Sequence, residues 1–357
     1  MENPKMLIAM SGGVDSSVAA YLMQQNGFVC AGATMKMQNP QLLKNQGGNE
    51  QDAKDAAGVA EKLGIPFYVL DASEEFHAKV VEPFVRCYEL GGTPNPCVGC
   101  NQYLKFGFFL KKALEMGYTH VVTGHYAKIS QHPETGRYLL HRAADDSKDQ
   151  SYFLAGLTQE QLAHIHFPLG ELTKEQAREI AENQGFLNAR KKDSQDICFI
   201  PDGDYVAFMQ RYRDTVYPTG DYLDLHGKVV GQHCGAVSYT IGQRKGLGLA
   251  MGAPVYVCCK DMEANTVTVG PEDVLFRKAL RADGWNWIPF PELTEPIRVT
   301  AKIRYRHKEQ PATVYPETGG FCRVEFDEPQ RAITTGQAVV LYDGDTVIGS
   351  GTIQAVL

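Results

Sequence analysis

The chain has 357 residues, 43% of them apolar and 22% charged, with a formal net charge of −7. That composition excludes the disordered and fibrous classes, and the length accommodates two or three domains with buried cores. The acidic balance argues against indiscriminate polyanion binding but leaves room for local basic patches.

The first residues lead straight into a short apolar strand, without a signal-peptide core or cleavage site. No apolar run approaches the roughly 20 residues that span a bilayer. A cytoplasmic protein without membrane contact is expected, whose nine cysteines are thiols by default. Residues 6–10 read as a strand, and 17–25 as a helix through Val18, Tyr21 and Leu22, stopped by Gly27. Strand patterns follow at 28–35, 66–70 and 120–123, and helical ones at 52–63, 74–90 and 104–116. This alternation predicts an α/β fold, a Rossmann-like parallel sheet with helices on both faces. Residues 39–49 are polar and Gly-rich enough for a mobile loop. From about residue 220, short runs at 235–240, 255–259, 266–270, 297–304, 312–315, 323–326, 338–342 and 346–351 alternate with Gly, Pro, Asp and Asn. They predict β-barrel modules, with Trp285-Asn286-Trp287, Pro289 and Pro291 as entry strand and linker to the last. The expected division is a catalytic domain over 1–205, a small mainly β central domain over 206–274 and a C-terminal β-barrel over 275–357.

Ser11-Gly12-Gly13-Val14-Asp15-Ser16-Ser17 lies between the first strand and first helix. Free backbone N–H groups at the helix start and the helix dipole make an anion site there. Glycines allow close approach to phosphate, and the serines can donate hydroxyls. Asp15 suits a magnesium ion held with phosphate oxygens. No Lys follows the glycines, so this is not a Walker loop. It is similar to the SGGxDS loop of the ATP pyrophosphatase (PP-loop) superfamily, which implies cleavage of ATP to AMP and pyrophosphate during adenylation. The bland reading is a Gly-Gly turn capped by serines.

Thr93-Pro94-Asn95-Pro96-Cys97-Val98-Gly99-Cys100-Asn101 is the second dense segment. Its two prolines are expected to keep it out of regular structure, with Cys97 and Cys100 on a rigid turn. A lone CxxC reads as a zinc half-site, a redox dithiol or an iron–sulfur ligand pair. Cys198 follows Lys191 and Lys192, which would favour its thiolate if they lie close in space. Alone, Cys198 reads as a buried thiol between Ile197 and Phe199.

These two motifs, with Thr123-Gly124-His125-Tyr126, Lys148-Asp149-Gln150-Ser151-Tyr152-Phe153-Leu154, residues 191–200 and Ile241-Gly242-Gln243-Arg244-Lys245-Gly246-Leu247-Gly248, occur in order along the whole chain. Together they resemble the tRNA-specific 2-thiouridylases, the MnmA family. The resemblance implies adenylation of the 2-carbonyl oxygen of the wobble uridine, position 34 of tRNA. Sulfur from a protein persulfide then replaces that oxygen, with AMP and pyrophosphate released. Cys100 is then the nucleophile and Cys198 the persulfide carrier, and a disulfide between two thiols can release the sulfur. ATP with magnesium would bind at Ala9, Met10, Ser11, Gly12, Gly13, Val14, Asp15, Ser16, Met35 and Gly124. The tRNA would meet Asn95, Pro96, Cys97, His125, Lys148, Asp149, Gln150, Arg304, Tyr305 and Gln337. A cysteine desulfurase or sulfur-relay protein is the implied donor.

One departure is Cys97, where the family commonly has an acidic residue after TPNP. Cys97, Cys100 and Cys198 form a set that could instead hold an iron–sulfur cluster with one open iron. Lys148-Asp149-Gln150 alone reads as a solvated turn. Arg298, Lys302, Arg304, Arg306 and Lys308 are expected along one strand, as a phosphate track or a solvated face. Two other functions are open: a PP-loop synthetase or ligase acting on a small molecule, and an RNA-binding module with a degenerate nucleotide loop. The separated cysteine motifs disfavour the first, and the intact SGGVDSS loop disfavours the second.

Overall fold

The computed structural model describes residues 4–37, 50–191 and 197–357. The expected loop at 39–49 and residues 192–196 of the Cys198 segment lie outside the described residues. Five parallel strands run in the order Phe67–Asp71, Val29–Lys36, Lys5–Ala9, His120–Val122, Ile165–His166. Lys5–Ala9 is central because Met6, Leu7 and Ile8 are apolar on both faces and fully buried. Alternation sends Met6 and Ile8 to the side of the helices Val14–Gln25 and Glu50–Leu63, with Val18, Ala19, Val59 and Ala60. Leu7 faces Phe106, Phe109, Leu110 and Ala113 on the other side.

Two helices on this second side contain π-helical stretches. Residues 73–89 comprise Ser73–Phe76, the π-helical His77–Val81 and Glu82–Glu89. Residues 96–115 comprise Pro96–Gly99, the π-helical Cys100–Phe108 and Phe109–Glu115. The latter starts well before the expected residue 104, because Pro96 occupies the first helical position. There its missing N–H and fixed φ cost nothing. Cys97 and Cys100 are therefore helical, which corrects the expected irregular turn.

Gly220–Leu223, Val229–His233, Tyr256–Asp261 and Thr266–Gly270 form a separate four-stranded sheet. The expected strand at 235–240 is instead a 3-10 turn, Ala236–Ser238. It is entered through Gly235 at φ 111°, whose N–H donates to His233 Nδ1 at 3.0 Å. A closed antiparallel barrel follows, in the order Phe276–Trp287, Cys322–Arg331, Gln310–Pro316, Ile297–Lys302, Ala338–Asp343 and Thr346–Val356, the last pairing with the first. Trp285 and Trp287 are the end of the long Phe276–Trp287 strand and stack at 4.8 Å. The basic strand stops at Lys302 and residues 303–309 turn away, so Arg304, Arg306 and Lys308 leave the strand face of Arg298. Arg298 itself pairs with Asp327.

A hairpin not expected from sequence, Lys128–Gln131 with Tyr138–His141, extends the barrel sheet beside Thr346–Val356. Arg137 from its turn donates to the carbonyls of Ile288, Trp287 and Phe290 at 3.0, 3.3 and 3.3 Å. No helix among the described residues is long and apolar enough to cross a membrane.

The cysteine helices rest on an aromatic cluster. Phe84, 1% exposed, meets Tyr88, Phe199 and Phe208 at ring separations of 5.1, 5.3 and 6.3 Å. Phe84→Ala is expected to destabilise the fold by about 3–5 kcal/mol, read as a lower urea midpoint at unchanged slope.

Candidate active site

The phosphate loop is shaped by what surrounds it. Gly12 has φ +71°, and a Cβ there would lie 2.3 Å from the Asp52 carbonyl oxygen. Gly13 starts the helix Val14–Gln25 without a side-chain cap, which leaves the first-turn N–H groups available as an anion site. Ser16 and Ser17 donate their hydroxyls to the Gly13 carbonyl at 3.1 and 3.0 Å, and the Ser11 N–H donates to Ser16 Oγ at 3.2 Å. These bonds brace the loop. Ser11 is exposed, Ala9 and Met35 are half-buried, and Met10 is buried. Gly124 ends the neighbouring strand so close that a Cβ would sit 2.6 Å from Asp15 C and 2.7 Å from Ser16 N. Gly124 is thus the price of seating one strand end against the helix start.

The missing lysine arrives from 159 residues downstream. Lys174 Nζ donates to both Asp15 carboxylate oxygens at 2.7 and 2.8 Å, and the Tyr126 hydroxyl donates to Oδ1 at 2.9 Å. The Lys174 side chain is only 6% exposed. Asp15, expected as a magnesium ligand, is here engaged by Lys174 and Tyr126. Lys191 Nζ donates to Asp52 and Asp55 at 2.7 Å each and to the Gly12 carbonyl at 3.3 Å. Asn188 Nδ2 donates to the same carbonyl at 3.0 Å.

The three sequence-selected thiols share one neighbourhood. Cys100 is buried, while Cys97 and Cys198 are exposed. Desolvation pushes all three thiols above their ordinary range, and Cys198 is raised further by Cys100 and Cys97. Lys105 pulls each of them back down. Residue i+5 lies about 140° round an α-helix from residue i. The i→i+5 bonding of Cys100–Phe108 brings Lys105 back toward the face of Cys100. Lys191 is committed to Asp52 and Asp55, so the expectation that it favours the Cys198 thiolate is replaced by Lys105; Lys192 lies outside the described residues. Lys105 Nζ also lies 3.4 Å from His125 Nε2, and His125 Nδ1 lies 2.7 Å from Thr123 Oγ1. Burial and Lys105 hold His125 well below the ordinary imidazole range, so it is neutral near pH 7. It accepts from Lys105 through Nε2 and donates through Nδ1. Among the described residues no three His, Cys, Asp or Glu side chains converge into a metal-ion site.

The other expected contact residues divide by exposure and engagement. Pro96 and Asn95 open the cysteine helix, and Asn95 lies beside the Tyr152 hydroxyl. Asp149 is buried and accepts from Ala143 N, Ser151 N and Ser151 Oγ at 3.2, 3.1 and 2.8 Å. Gln150 accepts the Tyr126 N–H at 3.0 Å, and Lys148 is half-buried. Tyr305 packs on Phe153 with ring centroids 4.3 Å apart and planes tilted by 38°, and its hydroxyl donates to the Asp149 carbonyl at 3.2 Å. Arg304 donates to the Arg331 carbonyl at 2.7 Å, and Gln337 to the Thr93 carbonyl at 2.8 Å. Sequence reading missed Lys174 and Lys105. The signals were present: Lys174 follows Thr173 at the start of a Thr-x-x-Gln capping box, and Lys105 shares the helix of the CxxC. Lys105→Met is expected to shift iodoacetamide labelling of Cys97, Cys100 and Cys198 to higher pH, slowing it roughly three- to tenfold at pH 8. Peptide mapping by mass spectrometry reads this.

Residues 4–202 match the family model described as tRNA methyl transferase HUP domain, 206–271 its PRC-barrel domain, and 277–353 the aminomethyltransferase beta-barrel domain. The tRNA-specific 2-thiouridylase MnmA of Clostridioides difficile is 47% identical, over 99% of this chain and 98% of that protein. The protein of the same name from Moorella thermoacetica is 49% identical, over 98% of this chain and 99% of that one. Among solved structures, the U34-tRNA thiolase NcsA from Methanococcus maripaludis with its [4Fe-4S] cluster is 15% identical, covering 59% of this chain and 68% of that chain at a TM-score of 0.37. That last likeness is too low to carry an argument. With nearly half its residues identical from end to end, the chain belongs to the MnmA family of tRNA-specific 2-thiouridylases.

Proposed function

We propose that the protein thiolates the wobble uridine of tRNA at position 34, spending ATP to AMP and pyrophosphate. The observation that carries this reading is the short path between the phosphate loop and the thiols: Gly124 abuts Asp15 and Ser16, and its neighbour His125 meets Lys105, whose charge acts on all three thiols. ATP phosphates lie on the N–H groups after Gly13, with Lys174 supplying positive charge where pyrophosphate departs. Magnesium accompanies the nucleotide. The uridine O2 attacks the α-phosphorus, pyrophosphate leaves, and the adenylated oxygen becomes a good leaving group.

The terminal sulfur of a Cys198 persulfide attacks C2 and AMP leaves. The Cys100 thiolate then attacks Cys198 Sγ, and the sulfur–sulfur bond to the transferred atom breaks. Its electron pair forms the C2 thiocarbonyl, while Cys100 and Cys198 are left as a disulfide that a reductant reopens. Lys105 stabilises the anionic sulfur at each stage. Asn95, Pro96, Cys97, His125, Lys148, Asp149, Gln150, Arg304 and Tyr305 surround the RNA in this reading, whereas Gln337 has its amide committed to the Thr93 and Pro94 carbonyls. The three family-model matches fit a division at about residues 205 and 274, and a cysteine desulfurase or relay protein in the cytoplasm supplies sulfur.

The same three thiols support a second reading, in which they ligate an iron–sulfur cluster whose open iron would bind sulfide. They share a neighbourhood but do not converge as they stand, and no step above runs through a cluster. Unmodified tRNA, ATP–magnesium and a cysteine desulfurase with cysteine are expected to give 2-thiouridine and AMP. Cys100→Ser or Cys198→Ser is expected to lower thiolation by at least about a hundredfold. ADP as product, or thiolation by the double variant, would overturn the proposal. Iron analysis after anaerobic purification separates the two readings, and a colourless, iron-free, active enzyme removes the cluster.

A further inference from the structure

The turn between two barrel strands reaches into the cysteine segment. The Thr93 N–H donates to the Thr335 carbonyl at 2.9 Å. Gln337 Nε2 donates to the carbonyls of Thr93 at 2.8 Å and Pro94 at 3.3 Å. Both sides of the contact are glycines for steric reasons. A Cβ on Gly336, at φ +83°, would lie 2.4 Å from Cys87 Sγ and 3.2 Å from Thr93 N. One on Gly92 would lie 2.7 Å from Cys87 Sγ and 3.2 Å from the Thr335 carbonyl. Beside the clamp, the Tyr152 hydroxyl donates to the Ala338 carbonyl at 2.9 Å.

Thr93 and Pro94 lead directly into Asn95, the cap of the helix carrying Cys97 and Cys100. The direction of that first turn decides where the thiols point, and nothing within it supplies a side-chain cap. We infer that Gln337 is a positioning residue for Cys97 and Cys100, its amide N–H groups holding the Thr93 and Pro94 carbonyls so that the barrel fixes the entry of the cysteine helix. Its significance for sulfur transfer rests on the function proposed above; the clamp itself does not.

Gln337→Glu separates this role from a general one, because it keeps the shape and removes both N–H donors. Gln337→Ala removes the side chain. In hydrogen exchange of the full-length, RNA-free enzyme, both variants are expected to speed exchange about fivefold or more in peptides spanning 88–104 while leaving the parallel sheet unchanged. In thiolation, both are expected to lower kcat about ten- to a hundredfold with KM for tRNA within about twofold.

Unchanged exchange at 88–104, or a rise in KM at unchanged kcat, would overturn the inference and leave Gln337 as an RNA contact alone. A uniform rise in exchange across the chain would overturn it as well, leaving a role in global stability. The exchange readout needs neither tRNA nor ATP. If the parent enzyme fails to thiolate tRNA, the proposed function falls while the clamp is still judged by exchange.

Discussion

The nucleotide end of the site depends on the ion pair between the half-buried Asp15 and the enclosed Lys174. An amine this enclosed is tolerated only with a partner. The pair therefore fixes the helix Lys174–Asn183 against the first turn of Val14–Gln25. Tyr126 joins the same carboxylate, which settles the strand end containing Gly124. Three segments remote in sequence are thereby gathered around the N–H groups of one helix. The carboxylate that reads as a metal ligand in isolation acts here to hold a cation beside an anion site.

A second, half-buried cation organises the other end. Lys105 lies five residues beyond Cys100 and acts on all three thiols, while its contact with neutral His125 fixes one imidazole tautomer. The site thus has two lysines with separate partners, Lys174 on Asp15 beside the phosphate loop and Lys105 beside His125 and the thiols.

Four of the five parallel strands were legible as short apolar runs between helices closed by glycines such as Gly27 and Gly64; the two-residue strand Ile165–His166 is too short to carry a pattern. The phosphate loop was legible because its chemistry is local. Lys174 was not, since no pattern in the chain links it to Asp15 before the fold brings them together. The start of the cysteine helix was misread because Pro96 was taken as a breaker, whereas at the first helical position proline is compatible with a helix. The hairpin Lys128–His141 was missed because two four-residue strands with polar positions carry little periodic signal, and its pairing partner lies at the far end of the chain. Arg304 was placed on a strand because period two continues past Lys302, although the backbone turns there.

That hairpin has a bearing on how the protein is made. His141 pairs with Thr346, and Arg142 N–H donates to the Asp345 carbonyl at 2.9 Å, so an early segment completes a sheet whose other strands are synthesised last. During translation the hairpin leaves the ribosome about 200 residues before its partner, with the edge of Tyr138–His141 open to solvent. Because Thr346–Val356 pairs both with that edge and with Phe276–Trp287, closing the barrel and covering the hairpin are one event.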